Sequence, residues 1–462
     1  MKKMLPVLLL VALVGPVLAS PMQKIPSTSA RSAPSPADAG KLDQVLRTIA
    51  EHSPDVLAAQ AASQQADAQV QQARAAWFGK VDAYALSQHF NDPRLTRPIT
   101  QPPNVANYPF ASDQFGYGLD MQLPIDLSLE IAAGVDAARS RAAGARWSAE
   151  DVRLRSLLQG ATLYRNLEAL AGQQAALAKQ FESLQASERV AQAGLKVGNI
   201  ARLNLLRVQA AAAEVQASLA SVAGQEQKLR AQLAALMGLD TFAGLVTSPG
   251  TGPTALPDDS GTLPPNVLAA QSALTASQDK MKAAQRAQYP QLFVNGGWNH
   301  NAIQWDSRAV DTWQVILGIR VNLWSGGAQN SAIDAAQAAA DEANQRLRGA
   351  EDNLRAARKG AEAQWNTQDQ VYHAALSGLL AAQESARIEQ DRFGNGLGSA
   401  TDLIDAQSTL ARAQAALAGA LAGWWQADDA LRYAFGKPPL AYSGIPSTDS
   451  KTSANNTGET QP

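Results

Sequence analysis

Residues 119–238 can be laid over residues 317–436 at a constant offset of 198 positions without a gap. Val135-Asp136-Ala137-Ala138 falls on Ile333-Asp334-Ala335-Ala336, Gly198 on Gly396, Leu205 on Leu403, Gln209 on Gln407 and Gly238 on Gly436. The chain therefore carries two copies of one structural unit. Solenoid repeats have periods of roughly 20–50 residues; a unit this long, holding both strand and helix patterns, predicts duplicated halves related by pseudo-symmetry.

Each half opens on a period-2 segment. Trp313, Val315, Leu317, Ile319, Val321 and Leu323 alternate with Gln314, Ile316, Gly318, Arg320 and Asn322. In the first half Phe115, Tyr117, Leu119, Met121, Leu123 and Ile125 alternate with Gln114, Gly116, Gly118, Asp120 and Gln122. Such alternation predicts strands with one apolar face, and both segments are long enough to cross a bilayer at a tilt. Upstream partners are expected over 80–90 and 291–300, giving strand pairs at about 80–125 and 291–324. A soluble hairpin with one buried face would read the same way. Aromatic Phe115, Tyr117, Trp298 and Trp313 near strand ends favour a membrane, where aromatic girdles sit at the interfaces. Asp120 and Arg320 both fall on the polar face, which avoids about 2–4 kcal/mol per charge placed in lipid near the midplane. The expected lipid-facing residues are Tyr117, Leu119, Met121, Leu123, Trp313, Val315, Leu317, Ile319 and Val321. Four strands cannot close a barrel and lipid tolerates no open edge, so several copies must share one; three copies with twelve strands is the natural solution.

Long helices follow the strands. No proline occurs over 128–194 or 327–393, and Ala, Gln, Arg and Glu dominate both. At about 1.5 Å per residue each would run roughly 100 Å, which requires partner helices along its length. Return helices are expected over 201–238 and 399–435. Leu205, Val208, Ala212, Val215, Leu219 and Val222 keep a 3,4 spacing, as do Leu403, Ala406, Leu410, Ala413, Leu417, Ala420 and Trp424. This is a heptad seam whose small residues permit close antiparallel packing. Further helices, over 42–77 and 266–286, lead into the strands.

The net charge of −2 offers no general attraction to nucleic acid. There is no cysteine, which excludes disulfides, thiolate metal sites and a lipidated N-terminal cysteine. Lys2 and Lys3, the apolar run 5–14 and Val17-Leu18-Ala19 read as a secretory signal over 1–19. A flexible leader over 20–39, a connector over 247–265 and a disordered tail over 439–462 complete the layout, with the two repeats at 40–246 and 266–438.

This order of elements, together with the segments running from Gly194 through Gly198 to Asn204 and from Phe393 through Gly396 to Gln407, resembles the TolC family of outer-membrane efflux proteins. The resemblance implies a mainly α chain with a membrane β-barrel: a homotrimer whose twelve-stranded barrel continues into a twelve-helix tunnel. It implies a passive exit duct for an inner-membrane transporter and a periplasmic adaptor, in the outer membrane of a Gram-negative bacterium, with no cofactor and no catalysis. Asp402 and Asp405, three apart on one helical face, correspond to carboxylates lining the family's periplasmic aperture, a ring that favours cations. Ser399 and Asp402 also fit a capping pattern that needs no pore. Asn204, Arg207 and Phe393 fall beside the gate. Phe393 replaces a tyrosine, so the aperture is expected to close more by packing than by polar locks. Val197, Gly198, Asn199, Gly396, Leu397 and Gly398 fall at the tips, where the family meets its adaptor.

An enzyme is disfavoured. His52, His89, His300 and His373 are scattered over different elements, with no phosphate loop or nucleophile elbow. The stronger rival is a periplasmic coiled-coil adaptor or spacer whose strands form a small soluble sheet.

Overall fold

The computed structural model describes residues 41–95, 110–198, 200–244, 246, 251–253, 255–257, 261–303 and 310–442. The expected signal and leader, Asn199, parts of the connector and the tail beyond 442 lie outside the described residues. In chain order the elements are α1 (Leu42–His52), α2 (Pro54–Ala75), β1 (Lys80–Leu95), β2 (Phe110–Ile125), α3 (Glu130–Lys196), α4 (Arg202–Leu236), α5 (Pro265–Arg286), β3 (Gln291–Ile303), β4 (Val310–Arg320), α6 (Ala328–Gly394) and α7 (Ala400–Ala434).

The duplication is literal in the helices: α3 and α6 have 67 residues each, α4 and α7 have 35 each, and each pair starts 198 positions apart. Three local features differ from the sequence expectation. The first lead-in helix is broken at Ser53, because a residue before proline is pushed out of the helical region. Strands β1 and β2 reach to Leu95 and back to Phe110, beyond the expected 80–90 and the alternating stretch 114–125, with a register shift between His89 and Arg94 around Pro93. An irregularity on an edge strand is where a proline is tolerated. Residues 439–442, read as the start of a disordered tail, are ordered, and the Tyr442 hydroxyl accepts a bond from Arg153 at 3.3 Å.

The strands form one antiparallel sheet in the order β1-β2-β3-β4. Below it α3 is the hub. It packs against α2 and α5, which lead into the strands, and against α4 and α7, which begin at the far turns. The seams bury Val208, Ala212, Val215 and Val222 on α4, and Leu403, Ala406, Ala420, Trp424 and Leu431 on α7. Small residues set the α3–α7 approach: a Cβ on Gly172 would stand 2.4 Å from the Ala418 Cβ. Gly172→Val is therefore expected to cost about 1–3 kcal/mol through overpacking, read as a lower apparent melting temperature of the helical signal; an unchanged melt would show that this contact does not hold the two helices.

The helix starts are built differently in the two halves. Asp126 accepts from the backbone N–H groups of Ile131 (3.1 Å) and Ala132 (2.8 Å) at the head of α3, satisfying donors that a helix N-terminus leaves free. At the head of α6 the Ser325 hydroxyl accepts from Gln329 N–H (3.2 Å). Leu129 precedes α3 at φ 58, where the second half has Gly327 at φ 87.

Candidate functional site

The strand register decides which side chains share a face, because directly paired residues of an antiparallel sheet point the same way. On one face the rows run Val81–Met121–Gly296–Val315, Ala83–Leu119–Trp298–Trp313, Leu123–Val294–Leu317 and Ile125–Leu292–Ile319. Tyr117 lies on this face too, stacked on His300 at 4.7 Å. The other face carries Lys80–Gln122–Asn295, Asp82–Asp120–Gly297–Gln314, Tyr84–Gly118–Asn299–Thr312 and Gln291–Arg320. All the expected lipid-facing residues of β2 and β4 share the apolar face, except that Val321 lies one position past the end of β4. Asp120 and Arg320 share the polar face. The apolar face is uncovered within the chain; Leu317 is 69% exposed.

The opposite end of the molecule is the pair of helical turns. Gly198 (φ 79) and Gly396 (φ 74) take the left-handed conformation that lets the chain reverse, and the Gly398 N–H donates to Arg392 O at 3.0 Å. Val197 and Leu397 project from the tips, exposed. The Ser399 hydroxyl accepts from Asp402 N–H at 3.1 Å, so Ser399 caps α7. That leaves the carboxylates of Asp402 and Asp405 exposed, on one side of the first two turns. Phe393 is buried with Leu184, Ala191, Val208, Ala400 and Leu403, so it acts through packing beneath the tip. Asn204 is half-buried in the first turn of α4. Arg207 does something its sequence position did not announce: its Nη1 donates to Thr401 Oγ1 at 2.9 Å, joining α4 to the start of α7 beside Asp402.

Between sheet and tips lies a buried charge cluster that the sequence did not reveal. Arg165 donates to both carboxylate oxygens of Glu168 at 3.1 and 3.0 Å and lies 4.9 Å from the Trp425 ring centroid. Asp428 is fully buried and accepts from Arg432 Nε (2.7 Å) and Trp365 Nε1 (3.3 Å). Asp429 is 1% exposed, and its Oδ2 has no hydrogen-bond partner. Burial pushes the Asp429 carboxyl up to about 7 against the pull of Arg165, with Asp428 adding to the rise. Burial also raises Glu168, opposed by Arg165. The cluster roots α7 on α3 at the end remote from Asp402.

Among the described residues no group of three or more His, Cys, Asp or Glu side chains could hold a metal ion. No helix among them is long and apolar enough to cross a membrane.

A two-faced four-stranded sheet continuous with two hairpins of very long helices defines the subunit of an outer-membrane channel. The chain belongs to the outer membrane efflux protein family, whose model matches residues 45–239 and 257–437. It is similar in fold to VceC of Vibrio cholerae, at 20% identity and a TM-score of 0.73 over 86% of this chain and 96% of that one. It is similar to the outer membrane channel CmeC of Campylobacter jejuni, at 17% identity and a TM-score of 0.73 over 86% and 85%. The open state of the outer membrane channel MtrE of Neisseria gonorrhoeae matches at 17% identity and a TM-score of 0.71, over 90% and 95%. A comparison with curated protein sequences finds no match. The chain is accordingly an efflux channel component and not an enzyme.

Proposed function

We propose that three copies close side by side, β4 of one pairing with β1 of the next, into a barrel in the outer membrane and a helical tunnel through the periplasm. An adaptor docks on the tips around Val197, Gly198, Asn199, Gly396, Leu397 and Gly398, and an inner-membrane transporter loads substrate into the tunnel. The observation that carries this reading is a sheet with an uncovered apolar face and two open edge strands. Strand edges in lipid must be paired, and the smallest closed barrels use about eight strands. The helices support the same ring, since the outermost ones expose apolar side chains, Leu203 and Leu206 on α4 and Leu380 and Ile388 on α6, for a neighbour to cover. The first 19 residues direct export.

In this assembly Asp402 and Asp405 stand at the tunnel's far end, roughly 100 Å from the sheet along α3 and α6. Six carboxylates around one aperture make it cation-selective. Reversal potentials of single channels under a KCl gradient in planar bilayers test this: the double variant Asp402→Ala, Asp405→Ala should lose cation preference several-fold. Unchanged selectivity would remove these residues from the aperture, and a protein that forms no channel at all would sink the conduit itself.

A further inference from the structure

The apolar face of the second strand pair is too short for the membrane it must cross. On β4 it runs from Trp313 to Ile319 and is bounded on the outer side by Asp311, paired with His300 at 2.7 Å. At about 3.4 Å per residue and a tilt of about 40°, this stretch covers roughly 16 Å of depth against an apolar band about 25 Å tall. The strand ends at Arg320, the partner of Gln291, where Pro290 has no amide hydrogen to extend the ladder.

The apolar surface continues where the strand stops. Leu323 is 91% exposed and Trp324 86% exposed, and no charged residue occurs between Arg320 and Asp334. The first half also exposes apolar side chains at its rim, Leu127 (69%) and Leu129, here set between Asp126, which caps α3, and Glu130. Leu129 is the one non-glycine residue with positive φ among the described residues, a conformation sterically disfavoured for a leucine. Its side chain is exposed, so little packing inside the chain offsets that strain. Just beside it, Arg286 at the end of α5 donates to Leu129 O at 2.9 Å, placing a cation at the level where lipid phosphates would begin.

We propose that the rim joining strands to helices, carrying Leu127, Leu129, Val321, Leu323 and Trp324, is immersed in the phospholipid of the periplasmic leaflet. The membrane boundary then lies on the first turns of the helical tunnel and not at the last strand residue. Extending the apolar run to Leu323 brings the covered depth to about 26 Å, and a tryptophan at its lower edge suits the interface. The inference rests on the barrel reading above and refines where its lower edge sits.

The absence of cysteine makes the test direct. Single variants Leu127→Cys and Trp324→Cys are spin-labelled, reconstituted as the full assembly in phospholipid vesicles, and probed with oxygen and with a water-soluble nickel chelate. Leu317→Cys serves as the strand control and Leu397→Cys as the aqueous control. Both rim labels should match Leu317, accessible to oxygen and several-fold less accessible to nickel than Leu397. Rim labels that read like Leu397 would put the rim in water, and rim labels closed to both reagents would put it under a neighbouring subunit; either overturns the proposal. If Leu317 itself reads as aqueous, the barrel has failed instead. Two positions in separate halves guard against one variant misassembling.

Discussion

Replacing Leu317 with arginine is expected to abolish assembly in the outer membrane, whereas Gln314→Arg, on the same strand, is expected to leave assembly intact. Leu317 sits in the row Leu123–Val294–Leu317 and Gln314 in the row with Asp120 and Gly297, on opposite faces of the sheet. A charge on the lipid face near the midplane costs about 2–4 kcal/mol, and three copies bring this to roughly 6–12 kcal/mol in one trimer. That is comparable to the total stability of about 5–15 kcal/mol typical of a folded domain. The polar face already carries Lys80, Asp82, Asp120 and Arg320, so another cation there meets water and carboxylates. The amount of heat-modifiable oligomer in the outer-membrane fraction reads the difference. Equal assembly of the two variants, or failure of both, would mean that the apolar face does not meet lipid.

Most of the architecture was legible because it depends on local periodicity. The long helices run over 130–196 and 328–394, close to the proline-free stretches at 128–194 and 327–393, and glycine-capped turns end both. The alternation over 115–125 and 313–319 survives as one face of the sheet, since a period of two fixes the side on which each residue stands. What could not be read depends on contacts between distant segments. Arg165 and Glu168, three apart on a helix, look like an ordinary surface pair; they are buried because α7 lies across α3 and brings Trp425, Asp428 and Asp429 with it. The Arg207–Thr401 bond joins residues 194 positions apart, and only the approach of α4 to α7 creates it. The hidden part is also the energetically demanding part, as charges without water need specific partners.

Asp429 should make the fold less stable as the pH rises, and Asp429→Asn should remove that dependence. The unfolded carboxyl titrates near its ordinary value of 3.8, whereas in the folded chain burial lifts it to about 7. Between these values the folded state holds a proton that the unfolded state has released, so stability falls as pH rises from about 4 to about 7 and is level above. At about 1.4 kcal/mol per pH unit the full penalty is about 4 kcal/mol, of which roughly 2–3 kcal/mol is incurred between pH 5 and pH 8. The asparagine keeps the shape and can still accept from the Leu440 N–H, the backbone partner of the carboxylate, but stays neutral throughout. Its amide replaces an oxygen that has no partner, an unsatisfied donor costing about 1–3 kcal/mol at every pH. The expected signature is therefore a difference between variant and parent that grows in the variant's favour by roughly 2–3 kcal/mol from pH 5 to pH 8, whatever its absolute value. Apparent melting temperatures of the purified assembly, followed by the helical signal across that range, measure it. Parallel curves for the two proteins would show that Asp429 is charged in the folded state at both ends of the range. Arg165 and Arg432 would then suffice to hold it ionised, and α7 would be rooted on α3 by a fully ionised cluster rather than by one sharing a proton.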